Sequence, residues 1–145
     1  MSERFGAYAA QTMGQQLLDD VVSEEVRRGE RIVAIDDEAV LLSPYAATLP
    51  YQLMLVPRRP RMRFEQDGPT CAAMLHDALG RLARRFAGGP PLNLWIRTAP
   101  RGAEQFCWRI DIVPRLHALA GLELGSGLHL NCVTPEHAAA ELREQ

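Results

Sequence analysis

The chain has 145 residues, 47% of them apolar and 23% charged, the size and composition of one domain able to bury a sizeable core. A formal charge of −2, from 16 basic and 18 acidic residues, gives no global field to draw nucleic acid or an acidic membrane, and neither is expected as a partner. All the basic residues are arginine, so Schiff-base catalysis, a lysine general base and a Walker-type phosphate lysine are excluded; guanidinium binds and neutralises anions but does not attack them.

Residues 1–11 are expected to form a flexible N-terminal segment. From Thr12 to Arg28, Met13, Leu17, Leu18, Val21, Val22 and Val26 recur at three- and four-residue spacing, which predicts an amphipathic helix ended by Gly29. Arg31–Ile35 and Ala39–Leu42 read as two strands of a hairpin around Asp36, Asp37 and Glu38. YQLMLV, between Pro50 and Pro57, reads as a strand covered on both faces. Four arginines, Arg58, Arg59, Arg61 and Arg63, then fall within six residues punctuated by prolines. That loop cannot be helical, and it reads either as a solvated loop or as the rim of an anion site.

A second helix spans about Thr70 to Phe86, with Leu75, Leu79, Leu82 and Phe86 along one face. Gly88–Pro91 is a turn block, and Leu92–Arg97 and Phe106–Val113 read as neighbouring strands. Leu128–Val133 is read as a last short strand. Thr134 and Pro135 open a final helix, threonine at the N-cap and proline at the first helical position. The order describes one α+β domain over residues 1–145, with helices on a mostly antiparallel sheet of about five or six strands.

The three cysteines form no C-x-x-C pair, which fits a reducing cytoplasm, and Cys71 and Cys132 read as small buried residues. The N-terminus has no basic start followed by an apolar core, and no stretch approaches the roughly 18 apolar residues that cross a bilayer. A cytoplasmic protein is expected.

The segment FCWRIDIVPR, Phe106–Arg115, carries the most chemistry. Alternation puts Phe106, Trp108, Ile110 and Ile112 on one face and Cys107, Arg109 and Asp111 on the other. The preceding strand turns Asn93, Trp95 and Arg97 to one side, so Asn93 and Arg109 are expected to face one cleft. An Arg109–Asp111 pair on a solvated face is the alternative. Of the histidines, His76 reads as exposed on the second helix, His117 follows the strand end, His129 lies nearest a cleft, and His137 sits in the first turn of the last helix. No two have metal or triad spacing.

Taken in order, GERIVAIDDEAVLLSPYAATLPYQLMLVPRR, LNLWIRTAP, FCWRIDIVPR and LAGLELGSGLHLNCVTPEHAAAELR resemble the C-terminal half of the galactose-1-phosphate uridylyltransferase family, part of the histidine-triad superfamily. The likeness spans roughly Gln16 to Arg143. It implies a histidine-triad-like sheet, nucleotide-sugar ligands and a homodimer. Relatives of this kind carry histidines where this chain has Cys107, Arg109 and Pro60, and those histidines resemble a metal site. Arginine and proline have no lone pair to donate, so no metal and no cofactor are expected. The nucleophilic histidine of the family belongs to the other half, and Arg109 cannot replace it. The resemblance therefore implies a degenerate domain that binds a nucleotide or sugar phosphate through Asn93, Arg97, Cys107, Arg109 and Asp111, with Arg58 and Arg59 at the rim. The competing readings are an active nucleotidyltransferase completed by a partner chain that supplies the missing half, and a purely structural or dimerisation domain.

Overall fold

The computed structural model describes residues 2–12, 14–118 and 120–145. Its elements are α1 (Ser2–Gln11), α2 (Leu17–Arg28), β1 (Ile32–Ile35), β2 (Ala39–Leu42), β3 (Leu53–Pro57), α3 (Ala72–Arg85), β4 (Leu92–Arg97), β5 (Arg109–Pro114), α4 (Gly121–Ser126) and α5 (Pro135–Arg143). The strands form one sheet in the order β1-β2-β3-β5-β4, every neighbour antiparallel. The expected α+β class and antiparallel sheet are what the chain adopts.

The pleat sends alternate residues of β2 and β3 to opposite faces. On one face Leu41, Leu53, Leu55, Trp108, Ile110 and Ile112 pack against Met74, Ala78 and Leu82 of α3 and Ala138, Ala139 and Leu142 of α5. On the other, Val40, Leu42, Met54 and Val56 pack against Phe5 of α1 and Leu18 and Val22 of α2. Helices on both faces explain why β2 and β3 are buried along their whole length. Burial of each such leucine is worth about 1.5–3 kcal/mol.

Local signals held where they were local. Gly29 adopts φ 71° and its N–H caps the Glu25 carbonyl at 2.8 Å, and the Thr134 hydroxyl accepts from the His137 N–H ahead of Pro135. Six expectations need correction. Residues 2–11 form a helix, anchored by the buried Phe5 ring stacked on Phe106 at 5.1 Å, and α2 starts only at Leu17; Met13 lies outside the described residues. The buried face of α3 is Met74, Ala78 and Leu82, with Leu75 and Phe86 at its margin and Leu79 outside the cluster. Strand β5 begins at Arg109, and Phe106 turns to the α1 side because the chain is not yet paired there. Leu128–Val133 forms no strand: it follows α4, whose amide at Ala120 is capped by Glu123 at 2.8 Å, and Leu128 and Leu130 stay exposed. Cys132 is exposed there, whereas Cys71 is buried as expected.

Strand β1 begins at Ile32, one residue later than expected, and the Arg31 side chain just before it is engaged with the helices. Its guanidinium is buried and bonds both oxygens of Glu25 on α2, at 2.8 and 2.9 Å, and Glu136 on α5 at 2.6 Å. One cation thus ties together helices from the two sides of the sheet. The same contact holds the Glu136 carboxyl below its ordinary pKa.

Candidate functional site

The polar groups gather on the β4–β5 side of the sheet. Arg97 is paired with Arg109, Trp95 with Asp111 and Asn93 with Val113, and residues directly opposite in an antiparallel ladder point to the same face. Asn93, Trp95, Arg97, Arg109 and Asp111 therefore share one face, as alternation along the strands requires. Asp111 is buried, and each of its oxygens is held by a different arginine: Oδ1 accepts from Arg109 Nε at 2.9 Å, and Oδ2 accepts from Arg97 Nε. One carboxylate between two guanidiniums leaves one positive charge over. Arg97 keeps 43% of its side chain in solvent, so part of that charge is accessible.

A groove of about 800 Å3 runs beside this cluster, between α1, α2 and the sheet, and Arg109 is part of its lining. Its exposed walls are mostly apolar, from residues such as Phe5, Leu17, Val21 and Met54, and charged groups of both signs border it: Asp20, Glu24 and Glu25 with Arg4, Arg28 and Arg31, beside the hydroxyls of Tyr8 and Tyr45. Met54, the register partner of Asp111, joins groove and cluster. The Tyr8 hydroxyl donates to Asp20 at 2.8 Å and fastens α1 to α2, which fixes the groove's width. The contribution of α1 was the part sequence reasoning missed; Phe5, Tyr8 and Ala9 at three- and four-residue spacing are the signal that carries it.

The other candidate residues are dispersed. Cys107 is buried among the apolar residues under α1 and α2, its thiol pushed up to about 11 by burial, so it stays protonated at neutral pH and is a poor nucleophile or ligand. Arg58 donates to the Asp36 carbonyl at 3.1 Å on the β1–β2 turn. Arg59 lines a separate cleft of about 270 Å3 with Asp37, Glu38, Arg61 and Thr70. These two arginines do not line the Arg109 groove. His76 and His137 are exposed on α3 and α5, His129 is exposed in the loop after α4, and His117 lies 3.9 Å from Glu123; none lines the groove. A metal does not fit the β5 face: Cys107 is a buried thiol, Arg109 is a cation already bonded to Asp111, and Pro60 has no donor atom.

No protein-family profile matches the chain. It is 30% identical over 113 residues to the ADP-glucose phosphorylase of Arabidopsis thaliana, covering 72% of this chain and 32% of that protein. It is 27% identical to a probable galactose-1-phosphate uridylyltransferase of Drosophila melanogaster over a 159-residue alignment, covering 98% of this chain and 45% of that one. A solved structure of a galt-like protein from Arabidopsis thaliana superposes with a TM-score of 0.83 at 25% identity, over 99% of this chain and 48% of the other. A Hit-like protein of Bartonella henselae shares the fold at a TM-score of 0.54 and 15% identity, over 85% of this chain and 93% of that chain. The chain is a galactose-1-phosphate uridylyltransferase-like half domain with a histidine-triad-like fold. This half domain spans about a third to a half of the length of the curated relatives it matches. Its fold is also that of an Arabidopsis thaliana ADP-glucose phosphorylase solved with bound ADP-glucose, at a TM-score of 0.79 and 23% identity.

Proposed function

We propose that this half domain binds a nucleotide or sugar phosphate in the groove beside Arg109 and performs no nucleotidyl transfer by itself. The observation that carries the reading is the Arg97–Asp111–Arg109 cluster set at an apolar groove. An apolar slot with a few convergent polar groups suits a base or sugar ring, and an accessible guanidinium suits its phosphate. Asp111 and Asn93 lie on the same face to accept or donate to hydroxyls. Relatives named for galactose-1-phosphate and ADP-glucose support that ligand class. The histidines lie outside this groove and Cys107 is a buried, protonated thiol, which supports the reading that the half domain performs no transfer by itself. Among the described residues no helix is long and apolar enough to cross a membrane, and the reading places the protein in the cytoplasm.

Isothermal calorimetry with UDP-glucose, ADP-glucose and galactose-1-phosphate tests the binding. Salt-sensitive binding of at least one ligand, weakened in Arg109→Ala, is expected; heat of dilution alone for all three at millimolar concentration overturns the reading. A second reading rests on the chain's coverage of only part of its relatives: a partner chain resembling the other half restores transfer. Mixing the two with UDP-glucose and galactose-1-phosphate distinguishes them, because turnover appearing only in the mixture selects the second.

A further inference from the structure

The loop between β2 and β3 presents Tyr45 to the groove with 76% of the residue in solvent. The backbone holds the ring there. Pro44–Ala47 is a turn closed by the Ala47 N–H on the Pro44 carbonyl at 2.9 Å, the Asn131 side-chain amide donates to the Ala47 carbonyl at 3.0 Å, and the Thr48 N–H donates to Gln52 Oε1 at 3.0 Å. The Arg31 guanidinium lies over one face of the ring, 5.2 Å from its centroid, and is itself fixed by Glu25 and Glu136. One face of Tyr45 is therefore seated on a fixed cation, and the opposite face is open.

We propose that Tyr45 is the ring-stacking and specificity-determining residue of this groove, so that its ligand carries a flat aromatic ring at one end and a phosphate at the other. That role rests on the reading that the groove holds a phosphorylated ligand beside Arg109, and it fixes which way round such a ligand lies. Leu42, Met54 and Asp111 stand opposite one another in a row across the sheet. Strands β2 and β5 are both antiparallel to β3 and so run in the same direction. Tyr45 comes three residues after Leu42 and Arg109 two residues before Asp111. The two side chains therefore lie on opposite sides of the row, on the order of 10–15 Å apart along the strands at about 3.3 Å per residue. A base, a ribose and a phosphate in series suit that span better than one sugar ring with its phosphate.

The charges point the same way. Behind Tyr45, Arg31 is shared by the carboxylates of Glu25 and Glu136, which leaves a surplus negative charge. Beside Arg109, Asp111 is shared by two guanidiniums, which leaves a surplus positive one. A phosphate is repelled by the first and drawn to the second, whereas an uncharged aromatic ring is free to stack on the open face of Tyr45. Tyrosine has only two side-chain torsions to immobilise, and here the ring is already held, so little entropy is lost on contact.

Calorimetry on the full chain with UDP-glucose, ADP-glucose and galactose-1-phosphate, in the wild type, Tyr45→Ala and Tyr45→Phe, tests this role. The nucleotide sugars are expected to bind about tenfold more tightly than galactose-1-phosphate. Tyr45→Ala should remove that advantage and leave galactose-1-phosphate unaffected, while Tyr45→Phe, which keeps the ring, should bind as the wild type does. In proton NMR the ring protons of the base should move upfield on binding to the wild type and not on binding to Tyr45→Ala, whose circular dichroism spectrum should match the wild type. Undiminished nucleotide affinity in Tyr45→Ala, equal affinity for galactose-1-phosphate and the nucleotide sugars, or bound base protons that do not shift would each overturn the role of Tyr45 while leaving the groove a phosphate site. Binding of none of the three ligands would overturn the underlying reading and this role with it.

Discussion

Two ionic triads in this molecule invert one another. At Arg31 one cation sits between two carboxylates, Glu25 and Glu136, with 6% of its side chain exposed. At Asp111 one carboxylate sits between two cations, Arg97 and Arg109, and the Arg97 side chain is 43% exposed. The first is roofed by α2 and α5 and joins elements far apart in sequence. Both border the same groove, which is lined by Arg31 and Glu25 of the first and by Arg109 of the second. Each keeps one flank about equally exposed, Glu136 at 42% and Arg97 at 43%, so the sign of the spare charge decides what each can do: the surplus carboxylate of the first repels an anion and the surplus cation of the second attracts one.

That contrast breaks most visibly at Arg31. Arg31→Met removes the guanidinium bonded to both oxygens of the buried Glu25, and stability is expected to fall by about 3–5 kcal/mol in urea denaturation. The counterpart, Arg109→Ala, leaves Asp111 still bonded to Arg97 and is expected to cost about 1–2 kcal/mol. Its larger effect should be the loss of nucleotide binding. Asp111→Asn sharpens the comparison from the other side: it frees both arginines and should raise affinity for a phosphate ligand severalfold, with a steeper salt dependence in calorimetry.

Acid probes the Arg31 triad through Glu136. The Glu136 carboxyl is held below its ordinary value of 4.5 by the Arg31 hydrogen bond, so the folded state binds fewer protons than the unfolded state in that range. The stabilisation is fully present above pH 4.5 and is lost as pH falls through the lower folded value. The melting temperature should drop over that window, and Glu136→Gln should flatten the drop. The smallest effect belongs to a third cluster, Glu24 with Arg27 and Arg28 on the outer surface of α2. Glu24→Gln should leave the denaturation midpoint unchanged, since exposed pairs are screened by solvent.

Much of the architecture was legible because it follows from short-range rules. The apolar run Leu53–Val56, the stop at Gly29 and the Thr134-Pro135 start each act within a few residues, and alternation alone put Arg109 and Asp111 on one face with Arg97 beside them. What could not be read depends on who packs against whom. Residues 2–11 look unremarkable until the Phe5 ring meets Phe106 across about a hundred residues of sequence. Arg58 and Arg59 follow β3 closely, yet one is held at the β1–β2 turn and the other lines a different cleft. Leu128–Val133 alternates like a strand but has no neighbour to pair with, and Cys132 is exposed with it.

The central claim is that a nucleotide or sugar phosphate occupies the face carrying Arg97, Arg109 and Asp111. Backbone amide chemical-shift mapping during titration with UDP-glucose and ADP-glucose tests it most directly. The account predicts saturable shifts at Asn93–Arg97, at Arg109–Val113 and at Phe5 and Met54 along the groove, all abolished in Arg109→Ala. Shifts confined to the β1–β2 turn or to residues 121–130, or shifts unchanged in Arg109→Ala, would contradict it.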